Sequence, residues 1–289
     1  MRNKNKLAGV ALAAFAAVCF LLTVSSASGQ QAGSVEFALR VTPTSGQAEP
    51  VRGMTVFLLR KSFADIRKEA EAAEPILDMN AFIDKLEVSI EMKAWMKKHQ
   101  RVDLSGPEFP KQLAPDDILT VPEFSKAFSD RNSGDRTIRL PVAKYLKTDP
   151  NKYPDKYALE LKEYQDELRH FIETHPETLE SLDIALDEVK LNPGPRWQHL
   201  QMERTARVHR NTMDLAGTVY LAASTDTDLD GHGRFAGVGP GKYWLSTLET
   251  EAIAGDARVR WDFPVNVSAD KTAAVQLSNV NGVEIASHE

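Results

Sequence analysis

Two kinds of hydrophobic pattern divide the chain. Near the start, Val35, Phe37 and Leu39 alternate with polar or small residues. That period-2 spacing predicts a strand with one buried face. A turn-rich stretch, Thr42-Pro43-Thr44-Ser45-Gly46, follows, and Met54–Leu59 is then a short apolar run rich in strand formers. From residue 62 the period changes. Tyr157, Leu161, Tyr164, Leu168 and Phe171 are separated by steps of four and three, which places them on one helix face. Leu179, Leu182, Leu186 and Val189 repeat the pattern, as do Met79, Ile83, Leu86, Ile90 and Ala94. Thr120-Val121-Pro122-Glu123 has the form of a capping box. Asn192-Pro193-Gly194-Pro195 separates one helix from another that carries Trp197 and Leu200. After residue 216 short strand patterns return. They begin with Thr218–Leu221, continue through Phe235 and Tyr243-Trp244-Leu245, and close with Val259/Trp261, Val265/Val267 and Ala274–Leu277. The pattern predicts five or six helices between two groups of strands.

The N-terminus adds a destination. Arg2, Lys4 and Lys6 precede the apolar stretch Leu7–Val24, and the small residues Ser25–Gly29 follow it. This is the layout of an export signal, so residues 1–29 are expected to be a signal peptide. An uncleaved anchor is the rival expectation and the only expected route to a membrane. Cys19 lies within the apolar stretch, preceded by Val18 and followed by Phe20, without the flanks of a lipidation site. The mature chain therefore has no cysteine for a disulfide, a thiolate nucleophile or a zinc–sulfur site. Losing the three basic residues of the leader takes the formal net charge from −6 to −9. An acidic surface argues against nucleic acid or anionic lipid as the main partner. The expected location is extracytoplasmic: periplasm, cell surface or medium.

The strand-rich ends carry an ordered set of motifs. Glu49-Pro50-Val51 precedes Met54–Leu59, and Thr227-Asp228-Leu229-Asp230-Gly231 follows the long middle segment. Gly233-Arg234-Phe235 and Gly237-Val238-Gly239-Pro240-Gly241-Lys242-Tyr243 come next. In this the ends resemble the carboxypeptidase regulatory-like domains, the prealbumin-like and collagen-adhesin B-type sandwiches. The resemblance implies an α+β chain. A prealbumin-like antiparallel β-sandwich is built from residues 30–61 plus 214–289, with Phe235 and Tyr243 facing the core from adjacent strands. An α-helical subdomain, residues 62–213, is inserted where the family has a short loop, far beyond ordinary loop length. It also implies an accessory role rather than catalysis.

Candidate chemistry is sparse. Asp226, Asp228 and Asp230, followed by Gly231, match the opening of a calcium loop, which makes Ca²⁺ the one candidate cofactor. The closing position falls on Gly237 instead of an acid. The competing reading is a polar hairpin turn. An isopeptide crosslink, implied only by the adhesin resemblance, would need Lys61 with Asn279 or Asn281, but the family's lysine position on the first strand holds Arg40. His170 and His175 would point about 140° apart on a helix, poor geometry for one ion. No G-x-S-x-G, P-loop or HExxH occurs. Trp95, His99 and Trp197 are the candidate binding residues, since aromatic rings beside basic groups can form a ligand face, although such rings also serve as packing. The expectation is an exported, non-catalytic binding module whose partner is an envelope protein or a polysaccharide. The alternatives are a hydrolase-type enzyme with its site in the helical insertion, or a structural envelope component.

Overall fold

The structure is a computed structural model. It describes residues 31–133, 139–180, 182–188 and 191–285. The leader with Cys19, together with Val189 and His288, lies outside them. The chain is α+β and divides into two compact units. One runs up to Arg60 and resumes at Ala222; the other is Lys61–Leu221.

The first unit is strand-rich. β1 (Gly33–Val41) has the expected alternation: Val35, Phe37, Leu39 and Val41 are buried, while Glu36 and Arg40 are exposed. It is paired along both edges. β10 (Thr272–Leu277) runs along one edge, parallel to β1, with Phe37 opposite Val275. β5 (His232–Val238) and the two-residue β2 (Glu49–Pro50) run antiparallel along the other. The parallel pair departs from an all-antiparallel arrangement. It follows from where the partners lie: a first and a last strand separated by the whole chain need no hairpin to join them. A second sheet has the order β4 (Leu221–Asp226), β3 (Thr55–Leu59), β6 (Gly241–Ser246), β9 (Asp262–Val267). A third joins β7 (Ala252–Ala254), β8 (Ala257–Arg260) and β11 (Val283–Glu284). Inward residues of all three sheets, among them Val35, Leu58, Phe235, Leu245, Val259 and Val265, form one hydrophobic cluster with Trp261, which lies between β8 and β9. Phe235 and Tyr243 both contribute to it, but from different sheets rather than from adjacent strands.

The second unit contains eight α-helices among the described residues, more than the five or six expected. They are α1 (Phe63–Ala73), α2 (Met79–Asp84), α3 (Ile90–His99), α4 (Pro115–Thr120), α5 (Pro122–Asn132), α6 (Pro154–Thr174), α7 (Leu182–Glu188) and α8 (Gly194–Asp214). The extra ones are short helices that a four- or seven-residue pattern could not resolve. Most of the buried apolar residues of α2–α7 join Trp197 of α8 in one core that includes Met92, Phe109, Phe124, Phe128, Leu168 and Leu186. The first and last helices lie alongside each other. Glu74 accepts from Arg207 Nε at 3.1 Å and from Asn211 Nδ2 at 3.0 Å, and Arg204 Nε donates to the Pro75 carbonyl at 2.9 Å. Beyond them Glu69 accepts from Tyr220 Oη at 2.7 Å and from Lys61 Nζ.

Two local expectations are corrected. Thr218–Tyr220 are not strand, and β4 begins only at Leu221. α8 runs on into a wide helical turn, Leu215–Val219, in which Tyr220 N–H donates to the Leu215 carbonyl at 3.0 Å. Thr218 Oγ1 also donates to the Asp214 carbonyl at 2.6 Å, so helical context outweighs the strand preference of these residues. The Thr120/Glu123 box does not form either. Val121 precedes α5 without a side-chain cap. Glu123 instead accepts from Ser89 N–H and Ser89 Oγ, both at 2.6 Å, which ties α5 to the N-terminus of α3.

Candidate functional site

The helical unit holds a groove of about 950 Å³. One wall is the loop and short 3₁₀ turn that lead into α4; the other is the end of α6, the 3₁₀ turn Pro176–Leu179 and the start of α7. Prolines shape both. Pro115 is the first residue of α4 and Pro176 the first of its turn, positions where the missing N–H costs nothing. Pro107 and Pro110 line the loop wall. The floor is apolar: Leu113, Ile172 and Leu179 are buried, and Ile184 reaches the rim 54 % exposed.

Two polar devices hold the walls in place. Arg169 on α6 donates from Nε (3.0 Å) and Nη2 (2.8 Å) to one carboxylate oxygen of Asp116 on α4, and from Nη1 to Asp166 at 3.0 Å. The Asp116 hydrogen bonds, aided by Asp166, raise the Arg169 pKa further. Inside the unit the Asn132 amide, 5 % exposed, donates to the Phe128 carbonyl at 2.8 Å and to the Thr178 carbonyl at 3.1 Å. The second bond fastens the turn of one wall to α5. A buried amide with its hydrogens directed at two carbonyls orients those groups firmly, because leaving either unpaired is costly.

The rim is acidic. Glu173, Glu177, Glu180 and Asp183 follow one another at steps of four, three and three along the α6–α7 wall, and among the described residues none has an ion-pair partner. The opposite wall carries one cation, Lys111, whose Nζ is paired with Glu108 at 2.6 Å.

The residues singled out in the sequence lie elsewhere. Trp95 (5 % exposed) and Trp197 (9 %) are inside the helical core and present no ligand face. Trp95 packs edge-on against Phe124 with centroids 5.0 Å apart, Trp197 lies 5.1 Å from Phe82, and His99 stacks on Trp95 at 4.5 Å. Helix packing claims the indoles because their large apolar area is worth more buried than shown to water. The three aspartate side chains do not form one cluster. Asp226 accepts from Thr55 Oγ1 at 2.6 Å, and Asp228 accepts from the backbone N–H of Asp230 (2.9 Å) and His232 (2.8 Å). These hydrogen bonds, His232 N–H first, hold the Asp228 carboxyl below its usual range. The segment is the hairpin turn, with Gly231 at φ +78°. No group of three or more acids, histidines or cysteines able to hold a metal occurs among the described residues. Lys61 is engaged with Glu69, Asn279 with the Thr42 backbone, and Asn281 with the Gln276 carbonyl. His99, His170, His175, His199, His209 and His232 are all exposed. A second, shallower cavity of about 560 Å³ lies on the outer face of β1, β5 and β10, over Ala38 and Ala274, with Glu36 and Arg234 3.6 Å apart across it.

The groove escaped the sequence reading because its walls are some sixty residues apart in the chain. The available signals were the closely spaced prolines of one wall and the four acids of the other.

No known family model matches the chain, and no curated protein matches it. A crystal structure of a proposed carbohydrate-binding protein from Pseudomonas aeruginosa aligns over 88% of this chain and 93% of its own, at 13% identity and a TM-score of 0.23. A superposition that loose carries no conclusion about fold or ligand. No described helix is long and apolar enough to cross a membrane.

Proposed function

We propose that the protein is an exported, non-catalytic binding module and that the helical unit carries its recognition surface. The supporting observation is the groove: a preformed apolar trough with polar rims, in the size range of ligand sites, whose walls are fixed by Arg169–Asp116 and Asn132. In this reading the strand-rich unit serves as a carrier, the accessory role that goes with the carboxypeptidase regulatory-like resemblance. Export through the leader puts the groove in the cell envelope or outside it.

The test compares what the mature chain and an Ile184→Asn variant retain from an envelope fraction. Ile184 is exposed at the groove mouth, so its replacement leaves the core intact. The expected result is a discrete species retained by the native chain and depleted at least tenfold with the variant, a loss equal to about 1.4 kcal/mol. Identical retention by both proteins overturns the proposal.

A further inference from the structure

Accepting the groove as the recognition surface, we infer that its occupant is a basic amphipathic peptide segment of a partner protein, with an apolar side chain in the trough and lysine or arginine along the acidic rim.

The hydrogen-bonding character of the walls supports this. Proline has no N–H to donate, and four prolines line the groove. Ionised carboxylates only accept, and four of them stand on one wall. The single ammonium, Lys111, is already bonded to Glu108. The side chains around the trough thus offer acceptors almost exclusively and require a ligand rich in donors. Ammonium and guanidinium groups fit; carboxylates, phosphates and acidic polysaccharides are repelled.

The floor argues against a plain polycation. Leu113, Ile172 and Leu179 offer an apolar surface that a polyamine or polylysine leaves uncovered, whereas a leucine or phenylalanine side chain gains by entering it. The lining also argues against a sugar. It contains no aromatic ring to stack on a pyranose face and no amide to fork between two hydroxyls. The acids follow one another along the wall instead of converging, which suits an extended run of spaced positive charges.

The test is binding of short peptides to the mature chain by calorimetry. The probe is a peptide of about fourteen residues that alternates leucine and lysine amphipathically, compared with the same peptide carrying glutamate for lysine, with polylysine, and with a chitosan oligomer. The leucine–lysine peptide is expected to bind, and to weaken about tenfold or more between about 20 and 200 mM salt. The double variant Glu177→Gln/Glu180→Gln is expected to weaken it at least fivefold. The control Asp155→Asn/Glu163→Gln removes equal charge about 15–25 Å away along α6 and is expected to leave affinity within twofold. Equal binding of the glutamate peptide overturns the inference. So does polylysine or chitosan binding as tightly as the leucine–lysine peptide, or an equal loss in the control variant. The two proposals fail separately. A species lost with Ile184→Asn whose capture does not depend on Glu177 and Glu180 leaves the recognition surface standing and removes only the basic partner.

Discussion

Asn132 gives the sharpest check on how the groove is held. Replacing it by alanine deletes the donor to the Thr178 carbonyl, and Thr178 is itself 2 % exposed. A buried carbonyl left without a partner costs about 1–3 kcal/mol. Alanine returns about 0.5 kcal/mol through its better helix propensity at the end of α5. The net loss is about 0.5–2.5 kcal/mol, concentrated in the turn Pro176–Leu179. A two-unit chain need not unfold in one step, so the right assay is local: hydrogen exchange followed by mass spectrometry. Peptides covering residues 172–184 are expected to exchange about 2–70 times faster in the variant, with strands β1 and β5 unchanged. Asn132→Asp sharpens the argument. Its carboxylate would face two carbonyls in a buried site, which disfavours the charged form and raises its folded pKa above the unfolded value. That variant is therefore expected to be less protected than Asn132→Ala at neutral pH and to recover as the pH falls and the acid can donate. Exchange of residues 172–184 altered by less than twofold in Asn132→Ala would refute the reasoning.

Other expectations follow from the same structure. Trp95 Nε1 is buried and has no hydrogen-bond partner among the described residues, so Trp95→Phe should cost less than about 1.5 kcal/mol in urea unfolding, while Trp95→Ala should cost about 3–5. Lys61's hydrogen bond to Glu69, then Tyr220's, holds the Glu69 carboxyl below its usual range. The stabilisation from this trio is therefore present above the unfolded glutamate pKa and is lost as the pH falls through the depressed folded value. Tyr220→Phe should narrow the gap, which acid titration of Glu69 by NMR would show as a rise in its pKa. Gly231→Ala forces a side chain onto a residue at φ +78°, with the new carbon 2.6 Å from the Leu39 carbonyl oxygen, and should lower thermal stability by about 1–3 kcal/mol.

The parts of the architecture legible from sequence were those where one face of an element is buried. β1 shows its alternation because Val35, Phe37, Leu39 and Val41 face the core while Glu36 and Arg40 face outward. α6 shows its stripe because Leu168 and Ile172 face one hydrophobic cluster. Partner direction left no such trace, since a parallel and an antiparallel neighbour ask the same alternation of β1. Local preference misled at Thr218–Tyr220, where the β-branched Thr218 and Val219 were carried along by a helix that had not ended. Tryptophan with a basic neighbour looked like a ligand face at Trp95 and Trp197, yet the area of the rings decided for burial. The groove depended on tertiary proximity between Pro107–Pro115 and Ile172–Ile184, which no local pattern encodes.

Site-specific photocrosslinking in cells tests the central idea most directly. A benzophenone side chain placed at Ile184, on the groove rim, is expected to give a discrete crosslinked species in the envelope fraction. The same group at Leu159, 59 % exposed on α6 and well away from the groove, is expected to give none. The same product from both positions, or no product at 184 with strong product at 159, would contradict recognition through the groove.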